Sequence, residues 1–330
     1  MSLQHQRVVV ERGPRSGFPI IVAVHSTTLG TALGGCRMAV YPDWRDGLDD
    51  ALRLSTAMTA KAALAGLPHG GGKTVVALPP GVTPDRRAVL HDVGDVIEGL
   101  GGIYATGPDV GTGPDDMTII GERTAHVLCR TGDSSPGTAA GVVAALRAVV
   151  APAPLSGRSF AVLGAGRVGT HVVRLLTAAG ATVLVSDVDE TRRAAVEALG
   201  ATWTDPHSCR TADVDVLVPA ALGGVLTEET VPSLRCRAVA GPANNQLAAD
   251  GIADLLHARG ILWAPDVVVS AGGIIHAVAT ELHHETPEQV AARIDAIGDT
   301  LTKILSAARE TASTPAAAAS RLADFLVGAA

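Results

Sequence analysis

The sequence is poor in aromatic residues and has no excess of positive charge, and each absence excludes a class of partner. Aromatic residues make up 2% of the chain, so a nucleic-acid surface built on base stacking is not indicated. The formal net charge of -7 leaves no positive field to hold phosphate backbones. We therefore expect no nucleic acid among the partners of this protein.

Cysteines and long apolar runs are scarce as well. The four cysteines are widely spaced and form no C-x-x-C pair, so we expect inert thiols, no disulfide framework and no bound metal. No stretch reaches the roughly 18 uninterrupted apolar residues that cross a bilayer, and the first residues lack the apolar segment of a signal peptide. We expect a cytoplasmic protein that works away from membranes.

What the sequence does have is length and many small aliphatic side chains. Its 330 residues exceed what one core ordinarily organises, so two domains are expected. The apolar fraction is 47% with few aromatics, so Ala, Val, Leu and Ile must fill the cores. That composition is typical of an α/β fold with parallel strands covered by helices.

The first half of the chain combines short strands with amphipathic helices. The spacing of its apolar residues predicts strands over 7–11, 19–25, 73–78 and 103–110 and helices over 47–65 and 87–100. The glycines at 66 and 70–72 are expected to end the first helix and to form a flexible run that presents Lys73. Asp109 is expected at the carboxyl end of a strand, where α/β proteins commonly place their chemistry.

Beyond residue 157 strands and helices alternate, which is typical of a doubly wound sheet. The pattern predicts strands over 159–163, 182–186, 214–218, 238–240 and 261–263 and helices over 138–150, 168–179, 190–199 and 287–308. The linker-like stretch Thr131–Gly137 suggests the boundary. We predict an N-terminal α/β substrate-binding, catalytic and dimerisation domain at 1–133, a Rossmann-type domain at 134–310, and a helical tail at 311–330 that could return to the first domain.

A dinucleotide-binding fingerprint opens the second half. Gly164, Gly166 and Gly169, with Arg167 and Val168 between them, follow a predicted strand and begin a predicted helix. Such glycines allow backbone amides to approach a pyrophosphate at a helix N-terminus. Asp187 ends the next strand, where its carboxylate would accept hydrogen bonds from ribose hydroxyls and repel a 2′-phosphate.

This context favours NAD as the cofactor. The neighbouring Arg192 and Arg193 leave NADP or dual use open, because either could reach a phosphate. A glycine-rich turn without a ligand is the remaining alternative.

Lys61, Lys73 and Asp109 are the candidate catalytic groups of the first half. The run Gly70–Thr74 is not a phosphate-binding P-loop, because Leu67 stands where the first glycine is required and a strand, not a helix, follows. Two ammonium groups converging in a glycine-lined cleft would hold a carboxylate and favour the neutral, basic form of one of them. Each lysine alone would be an ordinary surface charge.

Six sequence blocks resemble the leucine, valine and phenylalanine dehydrogenases of the glutamate dehydrogenase superfamily. They occur in family order and cover nearly the whole chain: LGGCRM at 33–38, AMTAK at 57–61, GGGK at 70–73, TGPDVGT at 106–112, GPANN at 241–245, and APD at 264–266 followed by AGG at 271–273. The resemblance implies an oxidoreductase that deaminates an L-amino acid, reversibly and with NAD, to a 2-oxo acid and ammonia. It also implies a homodimer or higher homo-oligomer.

The resemblance also implies roles for single residues. Lys61 would pair with the substrate α-carboxylate, Lys73 would activate the water that attacks the imine, and Asp109 would carry protons to and from the nitrogen. The remaining implied contacts are Gly34 and Gly35 beside the substrate, Thr138, Asn244 and Asn245 at the nicotinamide half of the cofactor, and Ala220 and Ala221 near its ribose.

One position departs from the family pattern, and the substrate signs are mixed. Ser270 stands where the family usually has an asparagine that helps to hold the carboxylate, so affinity or substrate preference could differ. Leu33 replaces the lysine of glutamate-specific relatives and resembles the leucine and valine enzymes, whereas Gly107 resembles the phenylalanine enzymes. Ile294 and Ile297 are possible pocket walls.

The sequence therefore favours phenylalanine or a branched-chain amino acid as substrate. A dehydrogenase of the same fold retuned to an unusual amino acid, or a non-catalytic NAD-binding regulator, remains an alternative.

Overall fold

Two sheets organise the chain in the computed structural model, which describes residues 4–130, 133–249 and 251–329. Residues 1–133 and 323–330 group into one unit, and residues 134–322 form the other. Each unit has its own sheet and its own apolar core, so the predicted two-domain α/β class is confirmed. Within the described ranges, no helix is both long enough and apolar enough to cross a bilayer.

The first unit is built on a mixed five-stranded sheet. Its elements are β1 (Arg7–Arg12), β2 (Pro19–Ser26), β3 (Ala32–Val40), α1 (Trp44–Leu64), β4 (Gly70–Leu78), α2 (Arg86–Glu98), β5 (Tyr104–Pro108) and α3 (Pro114–Ile120). The strand order is β1-β2-β4-β3-β5. β2 runs antiparallel to β1 and β4, whereas β3 is parallel to both β4 and β5. Strand β3 therefore lies between β4, which carries Lys73, and β5, which leads to Asp109.

The glycine run before Lys73 is part of a strand, and the prediction of a flexible loop there was wrong. Gly70, Gly71 and Gly72 are the first residues of β4 and are buried. A Cβ atom on Gly71 would stand 2.1 Å from the backbone nitrogen of Thr59 in α1. A Cβ atom on Gly70 would stand 1.8 Å from the Ser26 carbonyl oxygen, and one on Gly72 would stand 2.5 Å from the Tyr104 ring. Close packing on all sides therefore requires glycine here, and Lys73 is held on a strand rather than on a loop.

The second unit contains a six-stranded, fully parallel sheet. Its elements are α4 (Ser135–Val150), β6 (Ser159–Leu163), α5 (Arg167–Ala178), β7 (Thr182–Ser186), α6 (Arg193–Glu197), β8 (Thr202–Trp203), α7 (Pro206–Arg210), β9 (Val216–Pro219), β10 (Ala238–Val239), α8 (Ile252–Ala258), β11 (Leu262–Trp263), α9 (Asp266–Val269), α10 (Gly272–Ala277) and α11 (Pro287–Glu310). Helix α12 (Pro315–Gly328) follows.

The order of this sheet is β11-β10-β9-β6-β7-β8. This is the doubly wound order: β7 and β8 follow β6 on one side, and β9, β10 and β11 are added on its other side. Dinucleotides bind outside the carboxyl ends of the strands where the two halves meet, between β6 and β9. The Rossmann-type prediction is confirmed.

Element boundaries differ from the predictions in a few places. The helix expected over 190–199 is a 3₁₀ turn at Glu190–Arg192 followed by the short α6. Of the predicted linker, residues 131–132 lie outside the described part of the chain, and Ser135 already begins α4. β3 was not predicted, because its two glycines and its burial on both faces remove the alternation that identifies a half-exposed strand.

Candidate active site

Lys73 and Asp109 form an ion pair in the first unit. Lys73 is the fourth residue of β4, and Asp109 directly follows β5. Lys73 Nζ lies 2.7 Å from Asp109 Oδ2, and the two side chains are 6% and 18% exposed. The contact is short enough for a strong charge-assisted hydrogen bond along which a proton can move. The structure thus brings together two of the three predicted catalytic groups.

The absence of a side chain on β3 makes this contact possible. A Cβ atom on Gly35 would stand 2.7 Å from Asp109 Cβ and 3.2 Å from Lys73 Nζ. A Cβ atom on Gly34 would stand 1.8 Å from the carbonyl oxygen of Gly72. Both glycines were predicted to let the backbone approach a substrate. The structure adds that the protein's own packing already requires glycine at both positions.

Arg37 places a second cation on the same carboxylate. Its Nε lies 3.0 Å from Asp109 Oδ2, and its Nη1 lies 2.6 Å from Asp50 Oδ2. Burial alone would raise the pKa of Asp109, but the charges of Lys73 and Arg37 outweigh it and hold that pKa below its usual value. Asp109 is therefore an ionised carboxylate at neutral pH, ready to accept a proton.

The backbone around Asp109 is fixed by one threonine. Thr112 Oγ1 accepts a hydrogen bond from the Asp109 amide at 3.0 Å and donates one to the carbonyl of Cys36 at 2.7 Å. The loop after β5 is thereby tied to β3, which limits how far the carboxylate can drift from Lys73.

Lys61 lies in the last turn of α1 and is half-buried. Helix α1 packs closely on β4 near this point, because Thr59 lies against Gly71. These two residues come two positions before Lys61 and Lys73 in their elements. The side chain of Lys61 makes contacts of its own. Its role towards a substrate carboxylate stays a prediction.

Leu33 and Gly107 lie on the neighbouring strands β3 and β5. Leu33 on β3 is only 2% exposed and so belongs to the interior. Gly107 on β5 is paired with Gly35 in the sheet register. A Cβ atom on Gly107 would lie 3.9 Å from the Gly34 carbonyl oxygen and 4.0 Å from that of Leu128, so one methyl group would fit there in ordinary van der Waals contact. Their contacts with a substrate side chain stay predictions.

The glycine loop of the second unit has the geometry that a pyrophosphate requires. Gly164 has a φ of +115°, and a Cβ atom there would stand 2.8 Å from Ala221 Cβ. Gly166 caps α5, and no side chain caps the first turn of that helix. A Cβ atom on Gly169 would stand 2.0 Å from the Gly164 carbonyl. The first turn of α5, which contains Arg167 and Val168, can therefore offer its free amides to an anion.

Asp187 is held at the end of β7 beside this loop. Its Oδ2 accepts a hydrogen bond from the Ala165 amide at 2.7 Å, and its Oδ1 accepts one from the Asp189 amide at 3.0 Å. Arg192 Nη1 lies 3.2 Å from Oδ2. The carboxylate is thus fixed where a ribose would approach, with an arginine beside it, so the residues present fit a dinucleotide.

Three further loops of the second unit are packed together. Ala220 and Ala221 lie against Gly164, and the amide of Gly224 donates to the carbonyl of Asn245 at 2.7 Å. Asn245 has a φ of 53° and lies in the left-handed region, which asparagine tolerates. The predicted ribose and nicotinamide contacts therefore occupy neighbouring loops.

Ser270 and Asn244 are in direct contact. The Ser270 hydroxyl lies 3.2 Å from Asn244 Oδ1 and 2.5 Å from the carbonyl of Asp266. Its single proton is therefore donated within the protein, to one of these two oxygens. Thr138 of α4 lies against Gly273, three residues after Ser270, because a Cβ atom on Gly273 would stand 2.7 Å from Thr138 Oγ1.

Ile294 and Ile297 lie in α11 and are buried. A Cβ atom on Gly141 of α4 would stand 2.7 Å from Ile297 Cδ1, so this side chain packs against α4. In the structure both belong to the core of the second unit, and their role as pocket walls stays a prediction.

The group that the sequence did not single out is Arg37 with its partners. Asp50 accepts hydrogen bonds from Arg37 and from the Tyr41 hydroxyl, the latter at 2.8 Å. Arg37 lies inside one of the family-like blocks, but nothing in the sequence shows that it meets Asp109, 72 residues away. Only the pairing of β3 with β5 brings the two together.

Models of two dehydrogenase domains match the chain. The Glu/Leu/Phe/Val dehydrogenase dimerisation domain matches residues 4–126. The Glutamate/Leucine/Phenylalanine/Valine dehydrogenase domain matches residues 185–327. The resemblance seen in the six blocks is thereby confirmed.

Individual relatives agree with these models over almost the whole chain. The chain is 40% identical to a leucine dehydrogenase of Bacillus cereus, covering 97% of this chain and 90% of that protein. It is also 40% identical to a valine dehydrogenase of Streptomyces albus, covering 97% and 91%. Among solved structures, L-tryptophan dehydrogenase from Nostoc punctiforme is similar, with 36% identity, 99% and 96% coverage and a TM-score of 0.86.

Proposed function

Because the chain belongs to the Glu/Leu/Phe/Val dehydrogenase family of amino acid dehydrogenases, we propose that it deaminates an apolar L-amino acid with NAD. The products are the 2-oxo acid and ammonia, and the reaction is reversible. The observation that carries this proposal is the buried contact of 2.7 Å between Lys73 Nζ and Asp109 Oδ2. A fold gains little from such a pair, whereas proton transfer in oxidative deamination needs one.

The residues of the first unit divide the proton chemistry. The ionised Asp109 accepts a proton from the substrate ammonium group, which leaves a neutral amine whose lone pair can assist loss of hydride from Cα. Lys73 acts in its neutral form, after its own proton has passed to solvent, and removes a proton from the water that attacks the resulting iminium carbon. The same Asp109 returns a proton to the nitrogen as ammonia leaves, and Lys61 holds the α-carboxylate.

The second unit would hold the cofactor through the groups already described. The amides at the start of α5 would bind the pyrophosphate, and Asp187 would bind the adenosine ribose. NAD supplies one function when bound, which is to accept the hydride from Cα. A carboxylate at Asp187 supports NAD over NADP, although Arg192 at 3.2 Å softens the repulsion of a 2′-phosphate.

The expected substrate carries an apolar side chain. Leu33 cannot neutralise a second carboxylate, so glutamate would lose solvation of its side chain without compensation. Gly107, which resembles the phenylalanine enzymes, puts no side chain at this position of β5, and this supports a bulky substrate side chain such as that of phenylalanine. The relatives named above act on leucine, valine and tryptophan, so branched-chain substrates belong in the same test.

One observation supports a second candidate, a dehydrogenase tuned to an unusual amino acid. The Ser270 hydroxyl donates a hydrogen bond to the side-chain oxygen of Asn244 or to the carbonyl of Asp266. It therefore has no proton left for a substrate carboxylate unless it gives up that hydrogen bond. Weaker binding of ordinary amino acids, or a different substrate, would follow.

A panel of L-amino acids tests both candidates. NAD reduction is followed at pH 9 to 10.5 with leucine, valine, phenylalanine, tryptophan, methionine and glutamate. Turnover of the apolar members and none of glutamate is expected. Inertness of all six, together with turnover of an unusual amino acid, would replace the first candidate by the second. No turnover of any amino acid would contradict both.

Substitution of Lys73 tests the catalytic assignment. Lys73→Ala is expected to lower kcat by orders of magnitude, while the dissociation constant for NAD, measured by calorimetry, stays within about twofold because NAD binds through groups of the second unit. A matched control is Lys303→Ala, which removes an exposed lysine of α11. Unchanged turnover of Lys73→Ala would remove this lysine from the mechanism.

We also propose that the protein is a homodimer or a higher homo-oligomer. Support comes from the match of residues 4–126 to a domain described as a dimerisation domain. Light scattering coupled to size-exclusion chromatography gives the mass directly. A mass equal to one chain at micromolar concentration would contradict this part of the proposal.

A further inference from the structure

We propose that Arg37 is a positioning residue that keeps Asp109 ionised and in place while Lys73 exchanges protons. Asp50 and Tyr41 anchor Arg37 in turn. The inference rests on the proposed function, in which Asp109 works as a carboxylate.

The contacts form one continuous network inside the first unit. Arg37 lies on β3 and uses two nitrogens, Nε towards Asp109 at 3.0 Å and Nη1 towards Asp50 at 2.6 Å. Asp50 Oδ2 also accepts from the Tyr41 hydroxyl at 2.8 Å, and Asp50 Oδ1 lies 2.6 Å from Arg53 Nη2. Arg37 and Asp50 are 15% and 14% exposed. Arg37 is therefore fixed from α1 on one side and grips Asp109 on the other.

The need for a second cation follows from what Lys73 is proposed to do. Lys73 Nζ and Arg37 Nε both contact the same oxygen, Asp109 Oδ2. A lysine that exchanges its proton with water cannot also keep its neighbour charged at every step. A guanidinium group does not deprotonate in proteins, so Arg37 supplies a constant charge. The carboxylate then stays an acceptor even when Lys73 has lost its proton.

The geometry of the contact suits arginine and not lysine. A planar guanidinium can donate to two carboxylates at once through different nitrogens, whereas an ammonium is a single charged centre. Arg37→Lys would therefore preserve the charge beside Asp109 and lose the bridge to Asp50. Comparing this variant with Arg37→Met separates the effect of charge from that of position.

Two further titratable groups whose ionisation Asp109 influences, Cys36 on β3 and Tyr104 on β5, do not compete with Arg37. Burial raises the pKa of the Cys36 thiol to about 12 and also raises the pKa of the Tyr104 hydroxyl. Both are neutral across the working range, so neither adds charge beside the carboxylate that Lys73 and Arg37 contact.

The test compares pH profiles of kcat/KM for wild type, Arg37→Met and Arg37→Lys. Loss of the guanidinium charge is expected to move upward, by about 1 pH unit or more, the pH at which the Asp109 carboxylate gains its proton in Arg37→Met. The relevant acidic limb is the one set by this proton, which lies at lower pH than the limbs set by the substrate amine and Lys73. The kcat of Arg37→Met is expected to fall by at least about tenfold, because the carboxylate is no longer held in place. Arg37→Lys should keep the limb close to that of wild type and show an intermediate kcat.

The matched control is Arg15→Met in the same unit. Arg15 also bridges two carboxylates, with its Nη1 2.8 Å from Asp92 Oδ1 and 2.7 Å from Asp95 Oδ2. Its loss removes an equivalent pair of salt bridges without touching Asp109, so the acidic limb should not move. An equal shift in Arg15→Met and Arg37→Met would reduce Arg37 to a structural role and overturn the proposal.

Two further measurements keep the inference testable when activity or folding fails. Asp50→Asn keeps the charge of Arg37 but removes the carboxylate that holds its Nη1. Its kcat should therefore fall while the acidic limb stays in place. Infrared titration of the Asp109 carboxyl, identified by its loss in Asp109→Asn, reports ionisation without any turnover. Protonation at the same pH in wild type and Arg37→Met would overturn the proposal. A wild type inert on every amino acid would contradict only the proposed function.

Discussion

Substitution of Gly35 by alanine tests whether the close approach of three strands sets the catalytic geometry. The added Cβ atom would stand 2.7 Å from Asp109 Cβ, 3.1 Å from the Pro108 carbonyl oxygen and 3.2 Å from Lys73 Nζ. Carbon atoms in contact normally lie about 3.5 to 4.0 Å apart. Asp109 must therefore move by roughly 1 Å, because β3 is held between two strands and cannot retreat.

A displacement of that size breaks the hydrogen bond between Lys73 and Asp109. The present separation of 2.7 Å would grow beyond hydrogen-bonding distance. A misplacement of about 1 Å costs on the order of 100-fold in rate, which corresponds to about 2.7 kcal/mol in the activation barrier. Crowding of the interior would add roughly 1 to 3 kcal/mol of destabilisation. We expect a folded protein with a severely reduced kcat.

The assay is steady-state NAD reduction with the best substrate of the panel, together with calorimetric NAD binding and thermal unfolding. Gly99→Ala is the control, because that glycine has helical backbone angles and its Cβ atom would meet nothing closer than 3.4 Å. NAD affinity should be unchanged in both variants. A folded Gly35→Ala protein whose kcat lies within about threefold of wild type would refute the link between the Lys73–Asp109 distance and turnover.

Two further predictions concern the carboxylates of the two units. Replacing Asp187 by alanine removes the carboxylate proposed to accept hydrogen bonds from the ribose hydroxyls and leaves the Ala165 amide without its acceptor, so NAD should bind roughly tenfold or more weakly. NADP should lose less affinity, and equal NAD affinity by calorimetry would contradict the assignment. The folded pKa of Asp109 lies below the unfolded value of about 3.9, so its ionised form stabilises the fold above that pH, and the contribution is lost as the pH falls through the folded pKa. Urea unfolding should show Asp109→Asn much less stable than wild type at neutral pH, with a gap that narrows as the pH falls below about 3.9; a gap that widens with acid would be the wrong sign.

The doubly wound half was predictable because each of its signals is local. A strand, a glycine-rich turn, a helix and an acidic residue at the next strand end follow one another within residues 159–187. Their physical roles depend on neighbours along the chain, and the structure shows the parallel order that this pattern predicts. The fingerprint needed no contact between distant segments to be recognised.

The mixed sheet of the first half was harder to predict, since its pattern depends on distant partners. The glycines of β3 and β4 suggest loops when only neighbouring residues are considered. They are strand residues because α1 and the adjacent strands approach so closely that no Cβ atom fits. The Arg37 bridge was invisible for the same reason, as pairing of β3 with β5 alone places it beside Asp109.

The charges in this sheet are evidence about chemistry because stability does not require them. Desolvation of a buried ion pair costs as much as its attraction returns, so apolar side chains of similar volume would serve the fold equally well. Lys73 and Asp109 are nevertheless kept in the interior, and glycine at position 35 leaves room for both. Arg37 donates a hydrogen bond to the Asp109 carboxylate and is itself held by Asp50. Thr112 accepts a hydrogen bond from the Asp109 amide. This arrangement supports the proposal that an ionised acceptor and a proton donor meet here at a fixed distance.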